Sequence, residues 1–301
     1  MTVKNGFKYK KQSYLCKGCN CQFYDRQILD TKSLIEDYVF GKQTQLALSK
    51  RYSVSVSTIA RRLNEIRTTR IISSHKSVVV LMDTTYWGRK FGVVTFKDNK
   101  AKVVLWRKFV KYETLADYKE GIDWLLSTGF TVQGIVCDGL RGMFQLFGNH
   151  RVQMCQYHQV SIVRRYLTQN PELDASVELW KITKHLTKSN KEDFIDKFQQ
   201  WEQKWADFLK ERNTDKRTGK TYYIHKKLRS AYLSLKRNMP YLWTFYDYPQ
   251  AELPNTNNSL EATFADLKTK LRNHNGLSIK NRKMFIDEYF RLKFIHKYPQ
   301  K

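Results

Sequence analysis

Three acidic residues, Asp83, Asp138 and Glu261, are candidates for metal-dependent phosphoryl transfer. Such chemistry requires carboxylates that converge from different elements on two divalent ions held roughly 3.5–4 Å apart. Mg2+ (or Mn2+) suits the task, because it takes oxygen ligands and keeps positions open for water. Asp83 lies in the run SVVVLMDTTY (77–86), where a carboxylate is costly unless it is paired or metal-bound. Asp138 follows the apolar run TVQGIVC and precedes Gly139, although an Asp-Gly pair alone is a common turn. The third acid must come from late in the chain. Glu261 opens a helical pattern with the apolar stripe Leu260, Phe264, Leu267 and Leu271, and Lys268 and Arg272 follow the acid on an adjacent face. Periodicity does not separate Glu261 from Asp247, Glu252 and Asp266, and an early-turn Glu also serves simply to complement the helix dipole.

The elements around these acids read as α/β. Runs at 77–86, 91–96 and 103–110 are predicted strands, 113–126 a helix, and 131–137 a further strand ending at Asp138. Several folds share part of that order. From 161 to about 246 the pattern is helical, with Leu179, Trp180, Ile182, Leu186, Phe194, Phe198 and Trp201 among its apolar positions; 212–221 reads as a polar loop. Pro249 and Pro254 break the pattern before two last helices, 257–272 and 279–294.

Ahead of the acids come two small modules. Residues 31–68 read as three short helices, with Thr31 capping the first and Ser55 the third. The helices at 43–51 and 56–66, joined by a tight turn, form a helix-turn-helix pattern. Ser57 and Thr58 would meet base edges, while Arg61, Arg62 and Arg67 would meet phosphates or guanine. The plainer reading is a helical linker. Residues 1–26 place two aromatic runs around Cys16-x2-Cys19, a knuckle that supplies two of the four ligands of a zinc site; Cys21 is a further sulfur.

Composition narrows the partner. Lys plus Arg total 54 against 28 Asp plus Glu, a net charge of +26 spread along the chain, which attracts polyanions, nucleic acid first among them. No stretch reaches the roughly 18 apolar residues of a spanning helix, and the Lys-rich start lacks the apolar core of a signal peptide. Five cysteines do not suggest a secreted disulfide framework. The expected location is cytoplasmic, nucleoid-associated when bound to DNA, with no membrane partner.

The blocks LMDTTY (81–86), VCDG (136–139), Cys155-Gln156-Tyr157-His158, NNSLE (257–261) and LRNHNGLS (271–278) together resemble bacterial insertion-sequence transposases of the Mutator-like superfamily, in the variant with an N-terminal zinc-binding module. The resemblance covers essentially the whole chain. It implies an RNase H-like mixed-sheet core, interrupted by a large all-helical insertion and preceded by a partial zinc ribbon and a helix-turn-helix. The corresponding ranges are 1–28, 29–72, 73–160, 161–250 for the insertion, and 251–301 for the helices carrying the third acid. It implies a triad of Asp83, Asp138 and Glu261 holding two Mg2+ or Mn2+ ions. Cys155 and His158 become a Cys-x2-His pair that either binds metal or positions the site, and Lys268, Arg272 and His274 become DNA contacts. The implied activity is cleavage at the element's inverted repeats and strand transfer into target DNA by a dimer or larger assembly. A second Cys-x2-Cys normally precedes the knuckle in that variant, so either the start codon is misplaced, or this copy is shortened, or the module works without zinc; an in-frame pair upstream of the Met1 codon would restore the ribbon. A non-enzymatic DNA-binding regulator and a nuclease that cuts without joining are the alternatives.

Overall fold

The structure, a computed structural model, describes residues 1–8, 11–24, 29–66 and 75–297. Arg67 and the boundaries expected near 28 and 72 lie outside the described residues. The chain forms two compact units, one of Met1–Thr68 with Lys270–Tyr289, the other of Thr69–Thr269 with Phe290–Lys301.

The first unit opens with an antiparallel sheet of β1 (Thr2–Lys8), β2 (Lys11–Cys16) and β3 (Gln22–Tyr24). Tyr14 and Phe23 stack across it at 5.8 Å, as the two aromatic runs suggested. Three helices follow: α1 (Thr31–Val39), α2 (Gln45–Arg51) and α3 (Val56–Asn64). Asp30, not Thr31, caps α1, its carboxylate accepting the amides of Lys32 and Ser33. Ser55 caps α3 through the Thr58 amide, and Ile59 and Leu63 are buried. Of the apolar Leu46, Ala47 and Leu48, only Leu48 is buried, because a seven-residue helix presents little more than one inward position.

In the second unit the strands are β4 (Ser77–Trp87), β5 (Phe91–Asp98), β6 (Val104–Val110), β7 (Thr131–Cys137) and β8 (Val152–Met154), with α4 (Leu115–Ser127) between β6 and β7 and a short α5 (Met143–Leu146) before β8. The sheet order is β6-β5-β4-β7-β8, with β4 antiparallel to β5 and parallel to β7, which makes it mixed. β4 is central and covered on both faces, which is why its sequence reads as an unbroken apolar run rather than an alternation. Val78, Val80 and Met82 face one core with Tyr118, Ile122 and Leu125 of α4; Val79 and Leu81 face a second core with Val136.

The helical stretch comprises α6 (Gln156–Leu167), α7 (Asp174–Thr183), α8 (Lys191–Trp205) and α9 (Lys226–Asn238), with a two-stranded hairpin, β9 (Arg212–Thr214) and β10 (Thr221–Tyr223), between α8 and α9. The segment 212–221, expected as a loop, instead contains strand β9, the hairpin's turn and the first residue of β10. Val163, Leu179, Phe194, Phe198 and Trp201 share one continuous core with the α4 face of the sheet. A short α10 (Thr244–Asp247) leads to α11 (Asn258–Leu271) and α12 (Ile279–Lys297). Leu260 and Phe264 of α11 close the second core. Lys97 of β5 ties α11 to the sheet: its buried ammonium donates to the Ser259 carbonyl at 2.6 Å and to the Thr263 hydroxyl at 2.8 Å. Among the described residues, no helix is long and apolar enough to cross a membrane.

Candidate active site

Asp83 belongs to the face of β4 that carries Val79 and Leu81, one strand period beyond Leu81. Leu81 pairs with Val136 on β7, so two residues further along each chain come Asp83 and, immediately past the end of β7, Asp138. The two acids thus stand at the same level of neighbouring parallel strands. Gly139 is what lets the chain turn there. Its φ is +81°, and a Cβ at that position would lie 2.4 Å from the Met154 sulfur. The Asp138 carboxylate accepts the Leu140 amide at 3.0 Å, and that of Asp83 accepts its neighbour Thr84 at 2.7 Å.

Glu261 reaches the same place from α11, and His158 from the first turn of α6. The His158 Nε2 lies 3.5 Å from Glu261 Oε1 and 4.0 Å from Asp83 Oδ2. One ligand atom from each of Asp83, His158 and Glu261 falls within 4.8 Å of the others, the one such His/Cys/Asp/Glu group among the described residues. Asp138 stands outside that trio but close enough for its charge to act on Asp83.

The electrostatics follow from crowding. Burial, the Glu261 carboxyl and the charge of Asp138 push Asp83 well above the usual carboxylate range, against the pull of His158. Burial works to deprotonate His158, but the Cys155 side chain, Glu261 and Asp83 outweigh it and push the imidazole up to about 11. Hydrogen bonding to His158 holds Glu261 low. A protonated His158 is therefore the positive charge beside the ionised Glu261, with Asp83 held toward its neutral form. The donor set fits a divalent ion: oxygens from two acids and one imidazole nitrogen, a mixture that favours Mn2+ more than an all-oxygen set would.

The Cys-x2-His block does more than contribute His158. The Cys155 sulfur is buried and accepts the Asn257 amide at 3.2 Å, while the Asn257 side chain donates to the Met82 carbonyl at 2.9 Å. Gln156 donates its backbone amide to the Asn255 carbonyl and its side chain to the Leu242 carbonyl, both at 2.9 Å. Residues 155–158 therefore hold the returning chain, 242–257, that delivers Glu261. Asn257 and Gln156 stand in the blocks that carry the resemblance, but they follow no period, so their positioning role shows only in their contacts.

The remaining candidates are scattered. Ser57 and Thr58 are at the start of α3 with their hydroxyls engaged by Ser55, Arg61 is exposed, and Arg62 pairs with Glu65 at 3.1 Å. Lys268 is half-buried on α11 and its charge acts on Glu261; Arg272 is exposed. His274 is buried, its ring 4.5 Å from that of Tyr38 and 5.0 Å from that of Phe285, which places it in an aromatic cluster rather than on the surface. Cys16 is half-buried, and Cys19 and Cys21 are exposed thiols. Backbone amides of Cys19 and Gly18 and the Cys19 thiol hold Cys16 below the usual thiol range, as a metal knuckle would, but among the described residues these sulfurs belong to no group of three ligand atoms. No protein-family model matches the chain, and no curated protein matches it.

Proposed function

We propose that the protein is a DNA transposase with an RNase H-like core, cutting at insertion-sequence ends and joining the freed ends to target DNA. The observation that carries this reading is the convergence, on central strand β4, of Asp83 with Glu261 from a helix remote in sequence, beside Asp138 at the matching level just past β7. The sheet order supports it too: three antiparallel strands in sequence, a crossover helix, then a strand parallel to the first. On this reading residues 161–250 are the insertion, and the net charge of +26 provides the general attraction to DNA.

Asp83, Asp138 and Glu261 would hold two Mg2+ or Mn2+ ions, which when bound supply charge stabilisation for in-line attack on a phosphodiester by water or a DNA 3′-hydroxyl. The chain's own contribution is placement. The sheet fixes Asp83 and Asp138, Lys97 and Asn257 fix the start of α11, and half-buried Glu261 faces the approaching backbone. His158 balances the two nearby acids and orients Glu261. The helix-turn-helix, with exposed Arg61, would read the ends, and two protomers would bring two ends together.

The test is a strand-transfer assay on a linear element end with Mg2+ or Mn2+. Cleavage with joining is the expected result; cleavage alone identifies a nuclease, and binding without cleavage a regulator. His158→Gln is expected to keep the fold and to raise the apparent divalent-ion requirement by about 10–100-fold, the usual cost of disturbing a group that orients or completes a ligand set. Unchanged Mn2+ titration curves would remove His158 from the site.

A further inference from the structure

Between α8 and α9 the chain puts out the β9–β10 hairpin, and its composition is lopsided. Positions 212–229 hold seven Lys or Arg against one acid, Asp215. That acid is turned into the loop: its carboxylate accepts the amides of Arg217 at 2.8 Å and Thr218 at 3.3 Å, so it shapes the turn instead of pairing with a cation. The tip carries exposed Lys216, Arg217 and Lys220. At the base, Arg212 and Arg229 bracket the Tyr223 ring at 4.5 and 3.9 Å, and Arg212 donates to the Tyr223 hydroxyl at 2.7 Å. Tyr222 and Ile224 are exposed beside them.

The hairpin is also anchored. The Ile224 amide donates to the Glu211 carbonyl at 3.0 Å, His225 bonds the Glu211 carboxylate at 2.9 Å, and the His225 ring stacks on Phe208 at 3.7 Å. A short, held ribbon whose tip is cationic has no folding role that explains three unneutralised charges. Like charges this close repel, and the arrangement is stabilised by a polyanion.

We propose that this hairpin is a backbone clamp for duplex DNA, its tip cations meeting phosphates while Arg212, Arg229 and the two tyrosines line the groove edge. A two-stranded ribbon fits the width of a DNA major groove. The choice of DNA as the polyanion rests on the function proposed above; the site itself rests on the hairpin's charge and anchoring.

The experiment measures binding of the full chain to a labelled duplex over a range of salt, for wild type, for the triple variant Lys216→Gln/Arg217→Gln/Lys220→Gln, and for a control of equal charge loss, Lys102→Gln/Lys111→Gln/Lys119→Gln. Each phosphate contact removed lowers the slope of log affinity against log salt by about one, so the hairpin variant is expected to lose about two to three and the control under one. Equal slopes for the two variants overturn the clamp. Equal slopes on DNA with a selective loss on duplex RNA also overturn it, in favour of an RNA contact. Wild-type cleavage and joining with equal slopes would leave the transposase reading intact, whereas a wild type that neither binds nor cuts DNA would sink both.

Discussion

Asp83→Asn should abolish cleavage and joining while making the metal-free protein more stable. The first half follows from position. Asp83 is the most buried of the three acids, on the central strand, and its carboxylate is shared electrostatically with both others. A bound divalent ion supplies several kcal/mol of charge stabilisation to the transition state. Losing about 4 kcal/mol of it corresponds to a rate loss on the order of a thousandfold. DNA affinity should change little, because the cations expected to hold the backbone lie elsewhere. The second half follows from the direction of the Asp83 shift. A carboxylic acid raised above its unfolded value favours the fold below the unfolded pKa, and that contribution is lost as pH rises through the folded pKa. Above the unfolded pKa, keeping Asp83 in the fold therefore costs free energy, as a buried charge or as a proton taken up on folding, and the isosteric amide avoids that cost while still able to donate to Glu261. Without added metal the variant should melt higher than wild type, and Mg2+ or Mn2+ should raise the wild-type melting temperature but not the variant's. An active Asp83→Asn protein, or one whose melting temperature still follows the metal, would refute the assignment.

How much of this site the sequence discloses depends on whether burial leaves a period behind. β4 is legible because covering both faces of a strand demands a run of apolar residues, and one acid in that run stands out. α4 is legible because its stripe of Tyr118, Ile122 and Leu125 follows helical spacing. β8 is not, since Val152–Met154 is too short to show alternation, and α6 starts at Gln156, ahead of the apolar pattern that suggests a start near Ser161. The hairpin reads as a loop because its strands are three residues each and lie outside any core, so burial imposes nothing on them. Glu261 is the sharpest case: period gives its helix but not its role. What distinguishes it from Asp247, Glu252 and Asp266 is that Leu260, its neighbour, packs into the same core as Leu81 and Val136, and this turns Glu261 toward Asp83 and His158. Asp247 instead pairs with Lys191, and Asp266 with Lys293.

That dependence on packing makes Asn257 the residue through which the site can be disassembled without touching an acid. It is fully buried, and it spans the gap between the sheet and α11: its side chain donates to the carbonyl of Met82, next to Asp83, and its backbone amide to the Cys155 sulfur, three residues from His158. Four residues on is Glu261, whose amide is held by the Asn257 carbonyl at 3.1 Å. All three members of the trio are therefore referenced to one side chain and its peptide. Asn257→Ala leaves the Met82 carbonyl without its partner in a dry core, a cost of about 1–3 kcal/mol. In a unit of about 200 residues that is a drop in melting temperature of roughly 2–4 °C per kcal/mol. The larger effect should be on rate. A displacement of about 1 Å in a catalytic group can cost on the order of a hundredfold, and the start of α11 would then rest on Lys97 and the apolar contacts of Leu260 and Phe264 to hold its register. If Asn257 acts by placement, raising Mn2+ should recover part of the lost cleavage, because the acids themselves are intact. A variant that is destabilised as expected yet cuts at the wild-type rate would show that α11 finds its place without this bond.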